Sequence, residues 1–168
     1  WRSGAEIERK TLSQWFFKIT DFAEDLLDGL KDLNKWPDKV KSMQENWIGK
    51  STGCEINLEM VNENYNTINK NLNIYTTRPD TIFGATFCAI SPSHPLALEL
   101  ADQNLIIKEF IKKHQSQGTT EEAIARAEKD GLKINFFVKH PIIENKFLPI
   151  YIANFILMDY GSGAIYGC

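Results

Sequence analysis

The sequence predicts an α+β fold, in which a helical lead-in over residues 1–50 precedes a mixed β-sheet or barrel with peripheral helices over residues 51–168. Two observations carry this prediction. Apolar residues recur at spacings of three and four before residue 50, as on one face of a helix, and alternate with polar residues directly after it, as in a half-buried strand. Later segments follow in blocks of strands, helices and strands, which is typical of α+β folds.

The composition is that of one globular domain with a core, or of a domain with an appendage, since 43% of the 168 residues are hydrophobic and 24% are charged. The net charge of −3 excludes an overall basic field, so a nucleic-acid partner must be held locally or by other parts of the protein. The apolar runs are too short to span a bilayer, so we expect no membrane partner. The cysteines contain no Cys-x-x-Cys pair, which argues against zinc or disulfides and fits the reducing cytoplasm; they are Cys54, Cys88 and Cys168.

Two helices are predicted in the lead-in. The first covers residues 11–33, where Thr11 and Gln14 have the spacing of a capping box. Pro37 separates it from a second helix, which ends at Gly49 because glycine readily adopts the left-handed conformation that closes a helix. Both helices carry large apolar faces, so we expect them to pack against something else.

Strands and two further helices are predicted after residue 50. The asparagine-rich stretch 62–71 is a solvated turn that joins the first two strands into a hairpin. Helices are expected over residues 95–117 and 119–130, the second stopped by Gly131. The predicted strands cover residues 54–60, 72–77, 87–90, 133–139 and 148–157.

The segment Tyr75–Thr86 is the first candidate for chemistry, because a strand runs there into a tight turn in which four threonine hydroxyls lie close to the guanidinium of Arg78. Pro79 restricts Arg78 toward an extended backbone, Asp80 could cap a short helix, and Gly84 allows close backbone approach. Such a loop can present hydroxyl and N–H groups to a polar ligand, with the arginine fork on a phosphate. A capped strand-to-helix turn, with Arg78 solvated or paired to a carboxylate, is the alternative.

The second candidate is the segment 158–168, where Gly161 and Gly163 predict a bend that a ligand or strand approaches closely. Asp159 could pair with Arg78, but the sequence alone does not show that they meet. The histidines are scattered without the spacing of metal ligands, and we expect structural or exposed roles for His94, His114 and His140.

These segments resemble a known family. The stretch TTRPDTIFGAT at 76–86 resembles the threonine-rich signature of the editing domain of leucyl-tRNA synthetases of the bacterial or organellar type, and ANFILMDYGSGAIYGC at 153–168 resembles the second wall of that site. KHP at 139–141 matches as well, and residues 1–50 resemble the catalytic-domain segment that enters the editing insertion. Asp80 with the Ile-Phe-Gly that follows favours the leucyl enzyme over the valyl and isoleucyl relatives, which read closer to TTRPET and TTTPWT.

The resemblance implies double-sieve chemistry. The full-length ligase would use ATP and Mg²⁺ to attach leucine to tRNA(Leu), and the editing site would hydrolyse tRNA(Leu) mischarged with norvaline or isoleucine. A second site is needed because one methylene is worth only about 1–3 kcal/mol in an apolar pocket. The implied partners are the 3′ acceptor end of tRNA(Leu) and the remainder of the synthetase chain. No cofactor or metal is implied for editing, which would rest on positioning and oxyanion stabilisation.

Residue roles carried over from the family fall into two groups. Thr76 and Thr77 would hold the ester and help to position the attacking water, while Thr81 would act as the steric filter that keeps leucine out. In the binding group, Arg78 would contact the phosphate of the 3′-terminal nucleotide. Leu157 and Tyr160 would contact the terminal adenosine, and Tyr166 and Cys168 would line the amino-acid pocket. The expected substrate-binding residues are therefore Arg78, Asp80, Leu157, Tyr160, Tyr166 and Cys168.

Two departures from the family limit the expectation. Tyr166 and Cys168 stand where the family often has methionine and valine. The family also continues with a Pro-(small)-His-Asp segment and an aspartate that anchors the α-amino group, and the synthetic-site signatures are absent from these residues. We therefore expect a truncated domain that neither charges tRNA nor edits efficiently alone. A valyl or isoleucyl editing domain, or a non-catalytic binder of the acceptor end, are the alternatives.

Overall fold

A computed structural model describes residues 13–115, 128–158 and 161–168. The chain divides into two compact units, one of them Thr11–Thr52 and the other containing Gly53–Cys168. The assignment of residues 1–50 to a catalytic-domain lead-in stays a prediction. No helix among the described ranges is long and apolar enough to cross a membrane.

The first unit contains short helical segments where one long helix over 11–33 was predicted. Residues 13–18 are not helical, and a 3₁₀ turn at Ile19–Phe22 leads into α1 at Ala23–Gly29 and a second 3₁₀ turn at Leu30–Asp32. The prediction was wrong in length because Trp15 and Phe17 are 100% and 94% exposed, so no buried face offsets the entropy of a longer helix. Thr11 of the expected capping box lies outside the described residues.

The second predicted helix of this unit is present as α2, Asp38–Ile48, directly after Pro37. Gly49 ends it with a left-handed φ of 65°, and its N–H donates to the Glu45 carbonyl at 3.0 Å. This is the C-terminal glycine cap that the sequence predicted.

The second unit contains a mixed, curled sheet, which confirms the predicted α+β class. The strand order is β2-β1-β4-β5-β3-β6, and the β3–β5 pair is parallel while the other pairs are antiparallel. The strands are β1 Cys54–Asn62, β2 Thr67–Thr76, β3 Phe87–Ile90, β4 Gly131–Lys139, β5 Phe147–Ala153 and β6 Ala164–Gly167.

Two strand boundaries differ from the predictions by four or five residues because asparagine side chains form the turns, and the others differ by at most two. Asn62 Oδ1 accepts the N–H groups of Asn64 and Asn66, each at 3.0 Å, so the β1–β2 turn closes early and the rest of the asparagine-rich stretch belongs to β2. The predicted strand 148–157 ends at Ala153. There Asn154 turns the chain, donating to the Glu128 carbonyl at 2.9 Å and accepting the Asp130 N–H at 3.0 Å.

The predicted helix 95–117 is two helices, α3 at Pro95–Ala101 and α4 at Leu105–Gln115. Asn104 divides them, because its Oδ1 accepts the N–H groups of Ile106 and Ile107 and so starts a new helix. Of the predicted helix 119–130, residues 119–127 lie outside the described ranges and residues 128–130 are not helical. Gly131 opens β4 and does not stop a helix.

The core lies against the sheet, and α3 and α4 contribute to it through Ala97, Ile107 and Ile111. Burial of each large aliphatic side chain contributes about 1.5–3 kcal/mol, so this cluster dominates the stability of the unit. Ile82, from the loop that carries the candidate site, belongs to the same cluster and is 4% exposed. The fully buried large side chains include Leu58, Met60, Leu72, Ile74, Ile90, Leu148, Ile150 and Ile152.

Candidate functional site

The candidate site lies where the two edge strands of the sheet meet. β2 and β6 stand at opposite ends of the strand order, yet the Thr76 hydroxyl at the end of β2 donates to the Tyr166 hydroxyl on β6 at 3.4 Å. The sheet must therefore curl strongly enough to bring its edges together, as twisted sheets do when they approach a barrel.

The loop after β2 is built by threonine hydroxyls. A 3₁₀ helix spans Pro79–Gly84, with proline at its start as its fixed φ favours. Thr76 Oγ1 accepts the Arg78 N–H at 3.0 Å, and the Thr81 hydroxyl donates to the Arg78 carbonyl at 2.9 Å. Asp80, considered as a cap from the sequence, makes no capping bond to this helix, because its carboxylate turns to Arg78.

Arg78 and Asp80 form a bidentate ion pair on the surface. The guanidinium donates to the two carboxylate oxygens at 3.0 and 2.7 Å, and the side chains are 70% and 62% exposed. Hydrogen bonding to Arg78 lowers the pKa of Asp80, and the same bond raises the pKa of Arg78. Exposed pairs of this kind contribute little to stability, so an incoming phosphate can replace the carboxylate.

The Tyr166 hydroxyl contacts three groups of the loop. It donates to the Arg78 carbonyl at 2.6 Å, and it lies 3.0 Å from Thr81 Oγ1 and 3.4 Å from Thr76 Oγ1. Antiparallel pairing with β3, in which Tyr166 faces Cys88, fixes the backbone of this residue. The aromatic side chain therefore joins the second wall of the site to the threonine loop.

The end of β6 lies close against the same loop. The Cys168 thiol donates to the Thr81 carbonyl at 3.3 Å, and a Cβ at Gly84 would lie 3.5 Å from that sulfur. Thr86 binds the Gly167 carbonyl through its N–H at 2.8 Å and its hydroxyl at 3.2 Å. The loop and β6 are thus held together by backbone contacts as well as by side chains.

The bend predicted at Gly161 and Gly163 is present, with φ values of 59° and 70°. A Cβ at Gly161 would lie 2.4 Å from the Cβ of Tyr75, and one at Gly163 would lie 2.5 Å from the Met158 sulfur. The close approach is therefore to β2 and to the preceding turn. Asp159 lies outside the described residues, and the partner of Arg78 is Asp80.

His140 supports the site loop. The sequence predicted only a structural or exposed role for this histidine. Its buried ring accepts the N–H groups of Ile142 and Ile143 at Nδ1, at 3.2 and 2.9 Å, and its Nε2 lies 2.9 Å from the Ile82 carbonyl. These bonds assign the proton to Nε2, which donates to that carbonyl. His140 therefore ties the site loop to the turn after β4. The KHP motif was the signal in the sequence.

The other two histidines also have structural contacts. His94 Nδ1 accepts the Leu96 N–H at 3.1 Å and caps α3, while His114 lies 3.1 Å from Asp130. Within the described ranges, no group of three or more histidine, cysteine, aspartate or glutamate side chains could hold a metal ion.

The structure brings most of the predicted site residues together. Thr77 is exposed, and its hydroxyl has no hydrogen-bond partner among the described residues. Leu157 is half-buried in the segment between β5 and β6. Tyr160 lies outside the described residues. The residues brought together are Thr76, Arg78, Asp80, Thr81, Tyr166 and Cys168.

Comparison with known proteins gives one consistent family. The family model described as leucyl-tRNA synthetase, editing domain, matches residues 45–168. A leucine–tRNA ligase of Parvibaculum lavamentivorans is 53% identical over 168 residues, which is 100% of this chain and 19% of that protein. One of Zymomonas mobilis is 53% identical over 170 residues, again 100% of this chain and 20% of the relative.

A solved structure agrees with the sequence matches. The LeuRS of Agrobacterium radiobacter, in a ternary complex with tRNA and LeuAMS, superimposes with a TM-score of 0.71 and 31% identity over 99% of this chain and 20% of that chain. The chain spans about a fifth of the length of the relatives it matches. In sequence and in fold, then, it belongs to the editing-domain family of leucyl-tRNA synthetases.

Proposed function

We propose that this chain provides the hydrolytic proofreading site of a leucine–tRNA ligase and deacylates tRNA(Leu) that carries a wrong amino acid. The observation that carries the proposal is the cluster of Thr76, Thr81 and Tyr166 hydroxyls at the meeting of β2 and β6, in a chain of this family. Residues of the threonine signature and of the second wall lie together, which supports a single site for an ester at the 3′ end of tRNA.

The proposed reaction is hydrolysis of the aminoacyl ester. A water oxygen bonds to the ester carbonyl carbon, the bond from that carbon to the ribose oxygen breaks, and the ribose oxygen takes up a proton as the free amino acid leaves. Thr77 is suited to hold the ester or the water, because its exposed hydroxyl is free of partners within the described ranges. Thr76 would help by orienting the strand end. Catalysis would come from positioning and from hydrogen bonds to the developing oxyanion.

The acceptor end of tRNA would be held at the edge of the loop by Arg78. Its planar fork is exposed and already engaged by a carboxylate, so it is oriented for a second anion of similar geometry. Asp80 would give way to, or share the fork with, the phosphate of the 3′-terminal nucleotide. We propose Leu157 and Tyr160 as contacts of the terminal adenosine.

The amino-acid pocket would be formed by Thr81, Tyr166 and Cys168. Thr81 lies between the other two, since its hydroxyl meets Tyr166 and its carbonyl accepts the Cys168 thiol. Thr81 therefore stands at the junction of the loop and β6. This supports its proposed role as the filter that excludes leucine.

The experiment replaces Thr81 in a complete synthetase that carries this segment. Thr81→Ala should open the pocket, so hydrolysis of correctly charged leucyl-tRNA(Leu) should rise roughly 10-fold or more, the discrimination that one methylene provides. The control is Thr67→Ala at the other end of β2, where the hydroxyl binds Glu59 at 2.7 Å. The proposal fails if the unaltered enzyme leaves isoleucyl-tRNA(Leu) intact. The filter assignment fails if Thr81→Ala leaves leucyl-tRNA(Leu) intact.

The complete ligase is proposed to leucylate tRNA with ATP and Mg²⁺ in the cytoplasm. Neither ATP nor Mg²⁺ is assigned to a residue of this chain. Residues 1–50 would connect the proofreading unit to the catalytic domain, and the partners are the tRNA acceptor end and the remaining synthetase chain. The family match to the leucyl enzyme sets aside the valyl and isoleucyl alternatives.

A further inference from the structure

The carbonyl oxygen of Arg78 is the centre of the contacts in the loop. It accepts the Thr81 N–H at 3.1 Å, the Thr81 hydroxyl at 2.9 Å and the Tyr166 hydroxyl at 2.6 Å. A carbonyl oxygen has two lone pairs, so three donors on one oxygen crowd around it and lie close to one another. The 3.0 Å separation of the Thr81 and Tyr166 oxygens is the result.

The donors and acceptors around this carbonyl form a closed ring. The Arg78 N–H donates to Thr76 Oγ1 at 3.0 Å, the Thr76 hydroxyl donates to Tyr166 Oη at 3.4 Å, and the Tyr166 hydroxyl donates back to the Arg78 carbonyl. Each hydroxyl has one proton, so the Thr81 proton is shared between the Arg78 carbonyl and Tyr166 Oη, which accepts it while giving its own proton to the carbonyl. Tyr166 is the only member of the ring from outside the loop, so its hydroxyl closes the ring.

Thr81 is not a member of the ring but contacts two of its atoms, the Arg78 carbonyl and the Tyr166 oxygen. Its hydroxyl is held between the Arg78 carbonyl and the Tyr166 oxygen, which fixes the rotation about its Cα–Cβ bond. The methyl group on the other branch of Cβ is then fixed as well, because both groups turn together. A steric filter works through the position of such a group, and loss of the tyrosine hydroxyl would leave Thr81 more freedom.

We infer that Tyr166 is a positioning residue for the specificity of this site: its hydroxyl holds Thr81 in the orientation that excludes leucine. The inference rests on the proposed proofreading function and extends it to a residue of β6. Tyr166 acts here through Thr81 and the Arg78 backbone, and no chemical step is assigned to it. A side chain without a hydroxyl at this position could not form the ring.

The test compares Tyr166→Phe with the unaltered residue in a complete synthetase that carries this segment. The measured quantity is the ratio of kcat/KM for deacylation of leucyl-tRNA(Leu) to that for isoleucyl-tRNA(Leu). Loss of one hydrogen bond corresponds to a rise in this ratio of roughly 2- to 10-fold. Tyr65→Phe is the matched control, because Tyr65 lies in the turn at the far end of the β1–β2 hairpin and its ring packs on Phe137 and Phe147.

A double mutant separates positioning from a general loss of structure. With Thr81→Ala already present there is no filter left to position, so adding Tyr166→Phe should leave the ratio within about 2-fold of that for Thr81→Ala alone. Multiplied effects of the two substitutions would show that Tyr166 acts independently of Thr81 and would overturn the inference. Tyr166→Met, which also lacks the hydroxyl, should raise the ratio in the same direction and carries the test if the phenylalanine variant does not fold.

Different outcomes contradict the proposed function and the positioning role of Tyr166. If the unaltered enzyme does not hydrolyse isoleucyl-tRNA(Leu), the proposed function is wrong and the inference falls with it. If the unaltered enzyme hydrolyses it and Tyr166→Phe leaves the ratio unchanged, the inference alone is wrong.

Discussion

Single side chains hold the site together through bonds to backbone atoms. Tyr166 and Thr81 bind the carbonyl of Arg78. His140, which follows β4, binds the carbonyl of Ile82 in the 3₁₀ helix of the same loop. Backbone anchors of this kind fix the path of the loop and leave the side chains of Thr77 and Arg78 exposed. The order in the loop comes from the bonds to backbone atoms, and the proposed binding comes from these exposed side chains.

His140 gives a prediction at the residue scale. His140→Phe keeps a ring of similar size but leaves the Ile82 carbonyl and the N–H groups of Ile142 and Ile143 without their partner. Buried groups left unsatisfied each cost about 1–3 kcal/mol, so we expect the free energy of unfolding to fall by about 2 kcal/mol or more. Urea unfolding followed by circular dichroism measures this loss.

The control for His140→Phe is a substitution of another histidine, His94. His94→Asn at pH 7.5 retains a side chain that can cap α3, so it should change the free energy of unfolding by less than about 1 kcal/mol. Equal midpoints for His140→Phe and the unaltered protein would contradict the structural role given to His140.

At the scale of elements, caps decide where helices begin and end. Asn104 divides one predicted helix into α3 and α4, Gly49 ends α2, and His94 begins α3 through its ring nitrogen. The glycine cap was predictable because a left-handed residue at a helix end has a recognisable sequence. Asn104 was missed because the apolar spacing continues across it, and only the direction of its side chain shows that it starts a new helix.

His94 gives a pH-dependent prediction for α3. Burial lowers its pKa from the ordinary value of 6.5, and the hydrogen bond to Leu96 needs an unprotonated Nδ1. As the pH falls below 6.5, the unfolded chain binds a proton that the folded chain does not, so the stability from this group is present above 6.5 and is lost toward the lower folded-state pKa.

The measurement is the difference in unfolding free energy between pH 7.5 and pH 5.5. We expect a smaller difference for His94→Asn than for the unaltered protein, because asparagine does not titrate in this range. The same pH dependence in both proteins would show that the loss of stability comes from groups other than His94.

At the scale of the whole second unit, the curl of the sheet creates the site. Residues of β2 and β6 are about ninety positions apart in the chain, and they meet because the sheet bends until its edges touch. Gly161 lies at this closure, with φ 59° and its Cα against Tyr75 of β2. Closing the sheet leaves no room for a side chain at that position.

Gly161→Ala tests this closure. Its Cβ would lie 2.4 Å from the Cβ of Tyr75 and would be strained by the positive φ, so we expect a loss of at least about 1 kcal/mol in unfolding free energy. Gly29→Ala is the matched control, since nothing lies within 4 Å of a Cβ there and alanine favours a helix. A Gly161→Ala protein as stable as the control would show that the edges are not held together at this point.

The sequence by itself determined the fold class, the hairpin, the short strand before the helices, the helix ended by Gly49, and both segments that form the site. These features depend on residues that are close together in the sequence, so periodicity, helix caps and turn residues predict them. The length of the first helix could not be predicted, because a longer helix would need a surface that buries Trp15 and Phe17. Only the tertiary structure showed that Asp80 pairs with Arg78, that His140 binds the loop at the Ile82 carbonyl, and that the hydroxyls of Tyr166 and Thr81 are in contact. The contact of Asp80 with Arg78 depends on the direction of two side chains. The other two contacts join residues distant in the chain, which meet because the sheet curls.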